Sequence, residues 1–220
     1  MSNKVVLWGC GQIAEVAYFY LTNDSHYEVV GFCVDREYLK HDNFHGLPVV
    51  AFEDIEKIYP PTEYKMFISI SYDRMNSVRK EKYYAAKQKG YSCISYVSSK
   101  ATYYGTSVGE NCFIMENNVI QPYSTIGNNV IMWSGNHLGH HSRIEDHCFI
   151  ASHVVISGST VVGEESFLGV NSTIRDNIVL GKRNLIGAGA VILRNTEDEA
   201  VFTVNKTIQI NKKSTEIKHI

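Results

Sequence analysis

Hydrophobic and polar positions follow two different rules along this 220-residue chain, and the change falls near residue 100. Before it, short β-branched runs alternate with helical spacing. "KVVLWG" reads as a strand, and "QIAEVAYFYLTN" sets Ile13, Val16, Ala17 and Tyr20 on one helix face. "YEVVGFCVD" predicts a second buried strand ending in Asp35, and "KMFISIS" a third. "MNSVRKEKYYAAKQKG" predicts a helix stopped by Gly90, and "SCISYV" a fourth strand. Such alternation predicts a parallel sheet covered by helices, an α/β unit over residues 1–100.

From Val108 a period of six takes over. Every sixth residue from Val108 through Ile114, Ile120, Ile126 and onward to Ile192 is aliphatic, fifteen times in succession. About a quarter of residues in ordinary sequences are Ile, Leu, Val or Met, so chance does not produce this run. Four residues after these positions stand small or compact side chains, among them Cys112, Ser124, Ser142, Cys148, Thr160, Ser166, Ser172 and Ala190. One obligate aliphatic per six residues suits the short strands of a parallel β-helix, whose narrow interior admits one such side chain per side. The frame runs unbroken, so no long loop is expected to interrupt the prism.

Composition changes this picture little. Hydrophobic residues make up 44% and charged residues 20%, with a formal net charge of −2 and no long like-charge blocks, which argues against nucleic acid or an anionic membrane as partner. The opening residues lack a signal-peptide core, and no apolar run approaches the roughly 18 residues of a membrane span, so a cytoplasmic protein is expected. The five cysteines form no C-x-x-C pair and read as buried small hydrophobes in a reducing compartment.

The hexapeptide period resembles that of the hexapeptide acyltransferases, a resemblance that implies a left-handed parallel β-helix with eighteen residues per three-sided coil. Residues eighteen apart would then stack about 4.8 Å apart. An α/β unit followed by this prism, with "GHHSRIEDHCFIASHVVISGSTVVGEESFLGVNSTI" in it, resembles one branch in particular. That branch holds the bacterial nucleotide-sugar acetyltransferases of surface glycan and O-antigen assembly and the related sialic acid O-acetyltransferases. The layout implied is a Rossmann-like nucleotide-sugar-binding domain over 1–100 and an acetyltransferase β-helix with a C-terminal tail over 101–220.

"GCGQIA" is a G-x-G-x-x-A turn between a strand and a helix, with Asp35 about twenty residues on. Alone it fits a nicotinamide dinucleotide: glycines admit a diphosphate to a helix N-terminus, and an acid holds a ribose hydroxyl. In the resembling branch a similar turn holds the nucleotide of a nucleotide sugar, and a vestigial scaffold that binds nothing is the third reading. The candidate substrate-binding residues are therefore Gly9, Gly11, Gln12, Asp35 and Arg36.

Five of the nine histidines lie between residues 133 and 153. Three readings are open: a general base, a polar seam between subunits, or zinc ligands as in trimeric β-helical carbonic anhydrases. The resemblance places His140 on the family's base, which takes a proton as a sugar amine attacks the acetyl-CoA thioester. His141 stands where many relatives carry glutamate, and Glu145 and Asp146 are the nearest acids in sequence. Gly158, eighteen residues after His140, is a candidate oxyanion donor and cofactor contact through its backbone N–H. Val170 and Ala188 fall on positions whose backbone contacts acetyl-CoA. Phe149 replaces a histidine that touches it, so that contact is expected to be missing or replaced. The catalytic candidates are thus His140, His141 and Gly158, and the acetyl-CoA candidates Phe149, Gly158, Val170 and Ala188, with no metal. The activity implied is acetyl transfer from acetyl-CoA to a nucleotide-linked amino sugar, a 4-amino-4,6-dideoxyhexose, by a homotrimer. Sugar or sialic acid O-acetylation is the alternative.

Overall fold

The computed structural model describes residues 3–205, 207, 209, 211 and 213–216. Its N-terminal sheet contains β1 (Lys4–Trp8), β2 (Glu28–Val34), β3 (Asn43–Phe44), β4 (Leu47–Ala51) and β5 (Lys65–Ile68) in the order β3-β4-β2-β1-β5. All neighbours are parallel except the β3–β4 hairpin. Helix α1 (Gln12–Asn23) follows β1, the single turn α2 (Ile55–Ile58) follows β4, and α3 (Ser77–Gln88) follows β5.

The helix "QIAEVAYFYLTN" forms with the expected bounds, but its core face is centred on Ala14, Ala17 and Leu21. Ile13 and Val16 are turned partly out, toward a cleft between this unit and the prism. The expected strand over "SCISYV" does not form in this sheet. Cys93 makes one isolated bridge to Met66, and Tyr96–Val97 pairs instead with Phe113–Ile114 in the prism. The hairpin strand β4, with Pro48 inside it, has no counterpart in the sequence reading; proline is tolerated there because it stands near the sheet edge.

Each of the fifteen periodic aliphatic residues is the second residue of a two-residue strand. Registers such as Val119↔His137↔Val155 step by eighteen, the spacing of one three-sided coil. The three sides form sheets of seven, six and five strands, here called the covered, second and third faces. Their inward aliphatic residues, with Cys112 and Cys148, fill one continuous core.

The corners obey a rule of their own. Three residues after every aliphatic position but the last, Ile192, the backbone turns through positive φ, from Asn111, Asn117 and Tyr123 through His141, His147 and His153 to Asn177 and Arg183. Asparagine enters this conformation at low cost; histidine, glutamate and arginine here are held in it by the coils above and below.

The N-terminal unit sits on the covered face. Phe113, Ile131 and Phe149, which point outward from that face, share a core with Val5, Leu7, Ala14, Ala17 and Leu21. Polar contacts fix the seam: Asp24 accepts from Tyr96 Oη at 2.6 Å and from the Ser99 N–H at 2.9 Å. Arg79, fully buried on α3, donates to the carbonyls of Asn129, His147 and Cys148 at 3.1–3.2 Å.

Candidate active site

Strand order reverses beside β1, and the turn after β1 and the loop after β5 face each other there, the position at which open parallel sheets hold ligands. A cleft of about 910 Å³ opens between them and the covered face. Gly9, Gly11 and Gln12 line it from one side and Trp133, Phe149, Ala151, Ser152 and Val170 from the prism. Its charged lining residues are Glu15 and Asp73. The N-terminus of α1 also opens on the cleft, where Gly11 is the N-cap and brings no capping side chain.

Gly9 has φ +121°, and a Cβ there would stand 3.1 Å from the Ser69 carbonyl oxygen, so both backbone angle and space call for glycine. Around Gly11 no atom lies within 4 Å of the Cβ position. Asp35 and Arg36 are not in this cleft. Asp35 lines a second hollow of about 660 Å³ that shares Gly9, Ile70 and Asp73 with the first, and it pairs with Lys82 at 2.7 Å. Arg36 is exposed and paired with Asp54.

The residues Ser69 to Asp73 after β5 also line the cleft and carry no motif in the sequence, although strand ends beside a glycine turn are where a parallel sheet binds. Among them Tyr72 packs on Phe149 and Phe167, with ring centroids 4.9 and 5.0 Å away. Phe149 is thus buried under the N-terminal unit and forms the floor of the cleft.

The five clustered histidines separate. His147 is buried in the corner between the third and covered faces, where its Nδ1 accepts from Asn129 Nδ2 at 2.9 Å and its Nε2 stands 3.3 Å from Tyr84 Oη. Burial pushes its pKa down to about 4, so it is a neutral structural residue at neutral pH. His153 occupies the corner between the covered and second faces, against Gly135. His137 lies on the second face. Only His140 and His141 remain together, exposed on the corner between the second and third faces. Among the described residues no three His, Cys, Asp or Glu side chains converge as metal ligands.

On that exposed corner the His140 backbone N–H donates to Gln121 Oε1 at 3.0 Å, and its Nδ1 lies 3.1 Å from His141 Nδ1. Gly158 stacks next to it: a Cβ on Gly158 would meet His140 Cε1 at 2.7 Å. The Gly158 carbonyl accepts from Asn177, while its N–H finds no partner among the described residues. Glu145 and Asp146 do not serve His140. Glu145 pairs with Arg143 at 2.8 Å, and Asp146 accepts from the Asn128 N–H on the next corner.

Val170 and Ala188 stack on the corner between the covered and second faces, with Gly169, Gly187 and Gly189 beside them. No atom lies within 4 Å of the Cβ position at Gly189, which leaves bare backbone open to a flexible ligand. Within one chain, then, the structure joins Gly9, Gly11, Gln12, Phe149 and Val170 around one cleft, and His140, His141 and Gly158 on a different corner. Equivalent positions on adjacent corners are six residues apart, at most about 20 Å.

Two segments of the prism, residues 105–140 and 159–194, match the model for bacterial transferase hexapeptide (six repeats). No curated protein matches the chain in sequence. Among solved structures, perosamine N-acetyltransferase from Caulobacter crescentus is similar at 23% identity and a TM-score of 0.77, over 90% of this chain and 92% of that one. That structure is a histidine-to-asparagine variant in complex with CoA and GDP-perosamine. The acetyltransferase domain of PglB from Neisseria gonorrhoeae FA1090, in complex with acetyl coenzyme A, gives 22% identity and a TM-score of 0.79 over 91% and 96% of the two chains. WeeI from Acinetobacter baumannii AYE gives 17%, 0.69, 90% and 94%. These similarities span both the sheet unit and the prism, and they establish the fold as an N-terminal Rossmann-like unit followed by a left-handed parallel β-helix.

Proposed function

We propose that this chain, whose prism is built of bacterial transferase hexapeptide repeats, transfers an acetyl group from acetyl-CoA to the amino group of a nucleotide-linked amino sugar. The observation that carries the reading is the cleft in which the glycine turn of the sheet unit and the prism residues Phe149 and Val170 face one space. The Caulobacter structure of the same fold binds CoA and GDP-perosamine, which supports a nucleotide sugar in the cleft and CoA along the prism. A 4-amino-4,6-dideoxyhexose, destined for a surface glycan or O-antigen, is the acceptor that fits this reading.

His140 is the general base. Its Nε2 removes a proton from the amine as nitrogen attacks the thioester carbonyl; the tetrahedral centre collapses, the C–S bond breaks, and the CoA thiolate takes up a proton. The N–H of Gly158, without a partner among the described residues and beside the His140 ring, donates to the oxyanion in this reading. Gly9, Gly11 and Gln12 hold the diphosphate and ribose, with Asp35 in the adjoining hollow and Arg36 outside both. Val170 and Ala188 offer backbone to the pantetheine arm.

This site is complete only between subunits, because His140 lies outside the cleft of its own chain. A homotrimer brings the exposed corner of one prism to the cleft of the next. Incubation with acetyl-CoA and a panel of nucleotide-linked amino sugars, followed by mass detection of product, tests the activity. Acetylated amine is expected. Acetylation of hydroxyl sugars alone would move the assignment to sugar or sialic acid O-acetylation. No transfer, together with no thermal stabilisation by acetyl-CoA, would overturn it.

A further inference from the structure

We infer that His141 is a positioning residue whose Nδ1 lone pair holds His140 in its Nδ1–H tautomer, an inference that rests on His140 being the base. The two Nδ1 atoms are 3.1 Å apart, and the rings stand at 85° to each other. Ring nitrogens this close share one proton, since two lone pairs repel and two N–H groups cannot face each other.

The surroundings decide which ring carries it. A base must present the lone pair of Nε2 to its substrate, so the proton of neutral His140 sits on Nδ1 and is donated to His141. His141 then accepts at Nδ1 and carries its own proton on Nε2. When Nε2 of His140 takes a proton from substrate, the Nδ1–H bond to His141 becomes charge-assisted and strengthens.

His141 is itself fixed. Its backbone is in the left-handed corner conformation with φ 59°, and its ring lies over Tyr123, eighteen residues earlier, at 4.7 Å between centroids and 32° between planes. No carboxylate competes for the role among the described residues. Glu145 is on Arg143, Asp146 on Asn128, and Asp176 accepts from Asn177. An uncharged acceptor thus stands where an anion would stabilise the imidazolium more strongly. Tyr123 belongs to the device, because it sets the plane of the accepting ring.

The test reads the tautomer directly. Histidine-selective ¹⁵N labelling and two-bond proton–nitrogen spectra are recorded at a pH where both rings are neutral, with His140 assigned by its loss in His140→Ala. The wild type is expected to show His140 as the Nδ1–H form. His141→Asn keeps an acceptor and suits the left-handed turn, so the Nδ1–H form of His140 should persist in it. His141→Phe keeps a ring over Tyr123 but accepts nothing. In it His140 should revert to Nε2–H and turnover fall roughly 10-fold or more, with acceptor KM unchanged. An Nε2–H His140 in the wild type, or a Phe variant with unaltered tautomer and turnover, overturns the inference. The spectra need no acetyl transfer: a protein that shows the Nδ1–H form yet transfers nothing keeps the pair and loses the base assignment.

Discussion

The Cα of Gly158 lies under the imidazole of His140, so close that a methyl group in place of its hydrogen would stand 2.7 Å from Cε1 and 2.8 Å from Nε2. Gly158 has no positive φ, so alanine is permitted by the backbone and excluded only by the ring. Gly158→Ala should therefore push the exposed His140 aside at little cost in stability, while turnover falls roughly 10- to 100-fold because a base displaced by about 1 Å is mispositioned. In the His140→Ala background the same substitution should add almost nothing. Equal losses in both backgrounds would show that Gly158 acts independently of the imidazole.

His147 supplies a pH signature that is separate from catalysis. Burial lowers its pKa from 6.5 to about 4, so between these values the unfolded chain binds a proton that the folded chain refuses. Stability should be full above pH 6.5 and decline as pH falls toward 4, by on the order of 2 kcal/mol at pH 4.5. Around the ring stand Asp146, Lys80, Arg79 and Glu165. The carboxylates Glu116 and Glu164 are both held below their usual 4.5, so the stability they contribute is present above that value and is lost only as the pH falls through and below it. Urea midpoints at pH 7 and 4.5 should differ in the wild type and converge in His147→Asn; an undiminished difference in the variant would assign the slope to another group.

Much of this arrangement was legible in the residues. The fifteen aliphatic positions became fifteen strands because a three-sided interior has room for one inward side chain per side, and that constraint writes itself into sequence at a fixed period. The helix Gln12–Asn23 and the glycine turn before it were equally readable. The division of the histidines was not. His141, His147 and His153 share one corner position in the repeat, yet one is buried and two are exposed. The difference is that α3 packs on the corner of His147, a long-range contact through Tyr84 and Arg79 that no local pattern encodes. Cys93 and Tyr96 misled for the related reason that a β-branched run pairs with whichever edge tertiary packing offers, here the prism.

Arg79 should be among the most sensitive positions for stability. Its guanidinium donates to four carbonyls, those of Ser71, Asn129, His147 and Cys148, and burial lowers its pKa to about 10. Arg79→Met preserves much of the volume but leaves these buried acceptors unpaired, and a loss of about 3 kcal/mol is expected by urea denaturation. The variant should also bind nucleotide sugar less well, since the Arg79 guanidinium lies 5.9 Å above the Phe149 ring that floors the cleft. A Met variant as stable as wild type would mean that desolvating the cation costs as much as its hydrogen bonds return.

The separation of His140 from the cleft makes subunit sharing measurable. Gly11→Val puts a side chain where the glycine has open space, so it should obstruct the cleft without disturbing the fold. His140→Ala removes the proposed base and leaves the cleft intact. Each homogeneous variant should be nearly inactive, with the His140 loss roughly 10²- to 10⁴-fold. If each site combines the corner of one subunit with the cleft of its neighbour, trimers assembled from equal amounts of the two variants contain sites with both parts unaltered. For random assembly about a quarter of sites qualify, the product of two independent halves, and turnover should recover to about that fraction of wild type. A site built within one chain would give no recovery, because every chain in the mixture carries one lesion. Sedimentation of the mixed sample as a single trimeric species, made by co-expression so that subunits are interspersed, guards against a failure of mixing being read as a failure of sharing.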